Sequence, residues 1–186
     1  VYNNSEFHNG TTLLVATVFF SFQIYADFSG YTDIALGSAR LFGFDLTNNF
    51  KRPYFAISVK DFWDRWHITF STWLRDYIFL PLGYFLAHRM KRPAYLNVSA
   101  DKWIYMIAIM VTFSICGIWH GVGWTYLVWG ILFGIYLTYS NWTKDMNKLI
   151  RKRFNIRKTS HSYIAYKIIL TFILVSFAWI FFRADS

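Results

Sequence analysis

The chain has 186 residues, of which 55% are hydrophobic, 23% aromatic and only 16% charged, against roughly 25% charged in an ordinary soluble domain. That composition excludes a disordered chain and a typical water-facing surface. The formal charge of +9 comes from 19 Lys and Arg against 10 Asp and Glu, and most of these charges lie in loops between apolar runs. This is the pattern of a polytopic membrane protein with basic cytoplasmic loops, and it sets nucleic acid aside as a partner. The single cysteine, Cys116, excludes an internal disulfide and a cysteine-based zinc cluster, and reads as a small apolar packing residue. The sequence opens on Val1-Tyr2-Asn3-Asn4 without an initiator Met or signal pattern and closes on Ala184-Asp185-Ser186 straight after an apolar run. It is therefore expected to be an internal fragment, one membrane domain over 1–186.

In chain order, residues 13–28 form a short apolar run with Asp27 near its end, and residues 30–44 form another containing Asp33 and Arg40. Both are marginal as spans, and each charge would cost roughly 3 kcal/mol if left in lipid. Two helices lining an interior are expected here. Residues 48–92 are the least lipid-like stretch. There Trp63, Trp66 or His67, Phe70, and Trp73 or Leu74 recur at helical spacing, Asp61 and Arg65 form an i, i+4 pair, and Asp64 stands one turn before His67. An interfacial or re-entrant amphipathic helix fits this pattern.

Residues 103–141 contain no Asp, Glu, Lys or Arg and would extend about 60 Å as one helix, enough for two crossings of a ~30 Å core. The natural break is the segment 117–123, where Gly117, Gly121 and Gly123 surround His120. A last span covers about 164–182, with Lys167 near its start and able to snorkel. The basic loop 144–158 and the earlier cluster Arg89, Lys91, Arg92 and Lys102 are both expected in the cytoplasm. The turn at 117–123 then faces outward, or lies in mid-membrane if the hairpin is re-entrant.

His120 is the sharpest chemical candidate, because a titratable imidazole inside uncharged membrane sequence is costly to place and able to move protons near neutral pH. Trp119 and Trp124 would wall it. The bland alternative is an interfacial histidine among belt aromatics. His67 reads as a base oriented by Asp64 or as a structural histidine. Asp27, Ser29, Tyr31, Thr32 and Asp33 either bind a polar substrate group or bond neighbouring helices, and Arg75 with Asp76 reads as a local network or anchor. No metalloprotease, Walker, dinucleotide or nucleophile-elbow motif is present, and the two histidines have no third metal ligand in view. A histidine general base is the economical enzymatic reading.

Together, the blocks Tyr25-Ala26-Asp27-Phe28-Ser29-Gly30-Tyr31-Thr32-Asp33, Asn49-Phe50-Lys51-Arg52-Pro53-Tyr54, Asp61 to Thr69, Trp73 to Phe79, Pro81-Leu82-Gly83, Trp119-His120-Gly121 and Trp179 to Ala184 resemble the membrane-bound O-acyltransferase superfamily. The closest likeness is to its bacterial alginate and polysaccharide O-acetyltransferase branch. The resemblance implies an all-α, polytopic transmembrane protein with re-entrant or interfacial helices around a central pore. It implies His120 as the catalytic histidine and His67 as a second characteristic polar position; beside them Asp27, Ser29, Asp33, Asp64, Trp119 and Arg75 are taken as the candidate substrate contacts. The donor it implies is a cytoplasmic acyl thioester such as acetyl-CoA, used as substrate with no bound cofactor or metal. The acceptor would be a hydroxyl of an extracytoplasmic polysaccharide or of a partner protein, and the location the inner membrane. Kept beside this reading are D-alanyl transfer toward teichoic acid, an ion or solute pathway, and a non-catalytic export scaffold.

Overall fold

The computed structural model describes residues 6–184; the opening Val1–Asn4 and closing Asp185–Ser186 that prompted the fragment expectation lie outside the described residues. Asn9 caps the first helix, α1 (Gly10–Leu41), its side chain accepting from the Thr12 amide at 2.8 Å. This is one 32-residue helix, not the two expected over 13–28 and 30–44. Gly30 does not break it, because a single glycine costs a helix only about 1 kcal/mol relative to alanine and no proline intervenes.

A loop with a 3₁₀ turn (Pro53–Phe55) leads to α2 (Val59–Trp63), α3 (Ile68–Leu74), a π-helical turn (Arg75–Phe79) and α4 (Leu80–Arg89). A two-residue hairpin, β1 (Ala94–Tyr95) with β2 (Val98–Ser99), pairs antiparallel and turns at Leu96 and Asn97, both left-handed. Then follow α5 (Ala100–His120), α6 (Trp124–Trp142), α7 (Lys144–Arg153) and α8 (His161–Arg183).

The single amphipathic helix expected through 60–70 is interrupted. The backbone of His67 takes the left-handed conformation (φ 44°, ψ 54°), separating α2 from α3. The segment at 49–51 stabilises this break: the Lys51 amide donates to the Arg65 carbonyl at 2.9 Å and the Ile68 amide to the Asn49 carbonyl at 3.0 Å. The Asp61–Arg65 pair is present at 2.7 Å.

The uncharged stretch 103–141 does form a helical hairpin. Its two arms approach backbone to backbone: a Cβ on Gly130 would fall on the Phe113 carbonyl oxygen and lie 3.3 Å from Gly117 Cα. At the basic-loop end the hairpin is tied by the Trp142 indole donating to the Lys102 carbonyl (3.2 Å), by Lys102 Nζ donating to the Trp142 carbonyl (3.3 Å), and by the Lys102–Asp145 ion pair (3.6 Å). Helix α8 packs against α6 and α1, where the Ser21 hydroxyl donates to the Ser176 hydroxyl at 2.9 Å.

Among the described residues, α1, α5 and α8 are long and apolar enough to cross a membrane. Helix α6 falls outside that set, although its 19 residues carry no charge at all. Leu14, Phe19 and Ile34 on α1, and Ile169, Ile173 and Phe177 on α8, are exposed, as side chains that meet lipid would be. The interior is aromatic: Phe62, Trp129, Phe133 and Trp179 are fully buried, with Trp63 lying 5.0 Å from both Phe113 and Phe133, centroid to centroid. Such ring pairs add about 0.5–1.5 kcal/mol each beyond area burial.

Candidate active site

His120 is the last residue of α5, where the chain leaves the helix for Gly121–Gly123. Gly121 is needed for space, since a Cβ there would meet the Tyr126 ring at 2.6 Å. The His120 ring sits edge-on among Trp129 (5.1 Å), Phe182 (5.0 Å) and Trp119 (4.8 Å). Among the described residues no hydrogen bond holds either of its ring nitrogens, so the half-buried imidazole is free to engage a substrate proton.

His67 is brought to the same place by the left-handed break. Phe70, one turn into α3, lies between the two histidines: it stacks on His67 at 5.0 Å, meets His120 edge-on at 6.4 Å and covers Trp119 at 4.5 Å. A cavity of about 490 Å³ is lined by both histidines together with Gln23, Asp27, Phe70 and Trp129, and closed by Trp63, Trp66, Trp179 and Phe182. Burial lowers the His67 imidazole below its ordinary value, which keeps it neutral around pH 7.

His67 is not oriented by Asp64. The Asp64 carboxylate accepts from Lys60 Nζ at 2.7 Å, whereas His67 Nδ1 lies 3.4 Å from Asn49 Oδ1. That same oxygen accepts from the Thr69 amide (3.2 Å) and the Thr69 hydroxyl (2.6 Å). Asn49 therefore holds the start of α3 and faces the imidazole together, a role that local sequence spacing does not reveal.

The polar cluster on α1 is divided. Asp27 lines the histidine cavity. Ser29 and Thr32 turn back to the carbonyls of Ala26 and Ser29, and Tyr31 and Asp33 point outward. Trp119 is 61% exposed, and its ring meets both His120 and Phe70. Trp124, expected as a wall, is 78% exposed, and Trp129, Trp179 and Phe182 supply the walls in its place.

Asp64 and Arg75 line a second cavity of about 370 Å³, with Lys60, Thr72, Tyr105 and Phe113. Arg75 Nε donates to Asp76 at 2.7 Å, and this bond raises the guanidinium and lowers the carboxyl from their ordinary values. Trp63 lines both cavities. Along α5 the first cavity is lined from Tyr105 to Phe113 and the second is met at His120, seven residues and about 10 Å beyond Phe113. The two chambers thus adjoin, with the Trp63 indole in the wall of both. Among the described residues no three His, Cys, Asp or Glu side chains gather as metal ligands would.

A family model described as MBOAT, membrane-bound O-acyltransferase family, matches residues 2–183. Similar proteins include a "Peptidoglycan O-acetyltransferase" of Helicobacter pylori, 39% identical over 171 residues, which are 90% of this chain and 28% of that protein. A "Probable alginate O-acetylase AlgI" of Pseudomonas syringae is 36% identical over 88% of this chain and 27% of that protein. A "Teichoic acid D-alanyltransferase" of Bacillus subtilis is 29% identical over 88% of this chain and 39% of its own length. The chain thus spans between about a quarter and two-fifths of the length of these relatives.

Proposed function

The chain belongs to the membrane-bound O-acyltransferase family, and on that premise we propose that the protein containing it moves an acetyl group from a cytoplasmic thioester to a hydroxyl acceptor across the membrane. The observation that carries the reading is the pair of cavities that share Trp63, one lined by the charged side chains Lys60, Asp64 and Arg75 and the other by both histidines. A donor entering from the basic side and an acceptor entering from the opposite side would meet near Trp63 and His120. The acetyl donor would be acetyl-CoA or another acyl thioester, taken up as a substrate.

In the proposed step a nitrogen of His120 takes the proton of the acceptor hydroxyl as its oxygen attacks the thioester carbonyl. The new C–O bond forms, the C–S bond breaks, and the proton passes to the departing thiolate, returning His120 to its neutral form. General-base help of this kind supplies about 10²- to 10⁴-fold in rate. His67, held by Asn49 and stacked on Phe70, and Asp27, in the lining of the same cavity, would position the acceptor. Arg75 and Asp64 belong to the donor-side chamber in this scheme, while Ser29, Asp33 and Trp119 are left with supporting roles around it.

An extracytoplasmic polysaccharide, or a partner protein that relays the group to one, is the acceptor class that suits this topology, and the inner membrane is the corresponding location. Acetyl is preferred to D-alanyl because the acetylating relatives are 39% and 36% identical against 29% for the D-alanyl transferase. The test is transfer of label from acetyl-CoA to polysaccharide by the full-length protein in proteoliposomes. Label appearing on the acceptor supports the reading; label appearing only from D-alanyl donors would replace it with the teichoic-acid one.

A further inference from the structure

A third cavity, of about 580 Å³, lies where the end of α6, the length of α7 and the start of α8 meet. Five cations line it: Lys60, Lys144, Arg151, Lys158 and Lys167, and no carboxylate does. Lys60 is matched by Asp64. Among the described residues Lys144, Arg151, Lys158 and Lys167 have no ion-pair partner, and the only acid of α7, Asp145, turns away to Lys102. Four unpaired cations around one concavity repel one another unless an anion sits among them. Ser140, Asn141, Asn147 and Tyr163 add neutral polar groups suited to the oxygens of a phosphate ester.

The side chains around the cavity point to the source of that phosphate. Helix α7 carries Met146, Leu149 and Ile150 exposed beside its cations, and the loop that follows exposes Phe154. A short helix with exposed apolar side chains among basic ones rests at the boundary of headgroups and acyl chains. Lys167 lies two turns inside α8, half-buried, as a snorkelling cation at the same level would. We propose that this cavity is a binding site for the phosphate headgroup of an anionic phospholipid, gripped by Lys144, Arg151, Lys158 and Lys167 while α7 lies on its acyl chains. The site shares Lys60, Tyr105 and Leu137 with the chamber beside it, so a bound lipid forms part of the rim of that chamber. The inference concerns lipid binding alone and stands whichever acyl group the protein transfers.

The experiment is native mass spectrometry of the full-length protein released from detergent, titrated with phosphatidylglycerol and, separately, with phosphatidylcholine. Phosphatidylglycerol should be retained in preference, and the combined Lys144→Gln, Arg151→Gln, Lys158→Gln and Lys167→Gln variant should lose about tenfold or more of that retention. A combined Arg89→Gln, Lys91→Gln and Arg92→Gln variant, on the other basic loop, should keep it. Equal retention of the two lipids, or retention unaffected by the four substitutions, would overturn the proposal. So would displacement of phosphatidylglycerol by coenzyme A in a manner abolished by the same substitutions, which would give the phosphate site to a soluble donor. If the combined variant does not fold, the salt dependence of the wild-type protein decides: retention should fall steeply with added NaCl, and salt-independent retention would contradict the charge-based site.

Discussion

The backbone contact between α5 and α6 sets where His120 stands, and Gly130→Ala in the full-length protein measures that coupling. A Cβ at Gly130 would overlap the Phe113 carbonyl oxygen and stand 3.1 Å from its carbon and 3.3 Å from Gly117 Cα. These are backbone atoms that cannot rotate aside, so restoring ordinary contact near 3.5–4 Å requires the helices to part by about 1 Å. Overpacking of this kind costs about 1–3 kcal/mol, and the better helix propensity of alanine returns up to about 1 kcal/mol. The net destabilisation is therefore modest, about 0–2 kcal/mol by those same two terms. Catalysis is affected more, because Gly117 lies one turn before His120 and Gly130 is next to Trp129, against which His120 packs at 5.1 Å. A misplacement of about 1 Å at a reacting group costs on the order of 10²-fold in rate. Gly37→Ala on α1 is the control, with nothing within 4 Å of its added Cβ. It should be neutral or slightly stabilising and fully active. Thermal unfolding in detergent and labelled acetyl transfer, measured on both variants, provide the comparison. Wild-type turnover by Gly130→Ala would refute the claim that this helix contact positions the histidine.

Three other outcomes follow from the geometry. Asn49→Ala should lower turnover and destabilise by about 1–2 kcal/mol, because it removes the oxygen that holds Thr69 and faces His67, whereas Asp64→Asn should leave His67 undisturbed; kinetics showing the reverse order would restore Asp64 as its partner. Because burial lowers the His67 pKa from 6.5, the unfolded chain binds the extra proton as pH falls through that value. The stability contributed by neutral His67 is full above pH 6.5 and declines on acidification, so unfolding midpoints of the wild type should fall more steeply with acid than those of His67→Gln, and parallel curves would contradict this. Cysteines at Lys148 or Lys152 in a Cys116→Ala background should react with impermeant thiol reagents only from the cytoplasm; labelling of intact cells from outside would invert the proposed donor and acceptor sides.

The helical hairpin and its histidine were legible because their signal is local. Charge-free sequence over 103–141 with a Gly-rich centre leaves few alternatives, and His120 falls at the end of α5 as that pattern implies. At the start of the chain the signal is local but misleading: Asp27, Gly30 and Asp33 look like a junction, yet α1 runs through them because nothing there removes a backbone hydrogen bond. The region around His67 failed for a non-local reason. Aromatic residues three or four apart suggest a continuous helix, but the backbone is turned at His67 by hydrogen bonds to the Asn49 carbonyl and from the Lys51 amide, more than a dozen residues upstream. That turn also removes Asp64 from His67 and leaves it with Lys60. Phe70 and Trp63 were visible as members of an aromatic series. Their positions, between the histidines and between the two cavities, depend on how α2 and α3 pack against α5 and α6.

The central claim is that His120 takes the acceptor proton. Its most direct test is the rate of label transfer from acetyl-CoA to polysaccharide by full-length wild-type, His120→Ala and His120→Gln proteins, reconstituted at matched amounts and shown to unfold at similar temperatures. The account predicts that both variants insert normally and lose transfer by about 10²-fold or more. Near-wild-type turnover by either variant would contradict it.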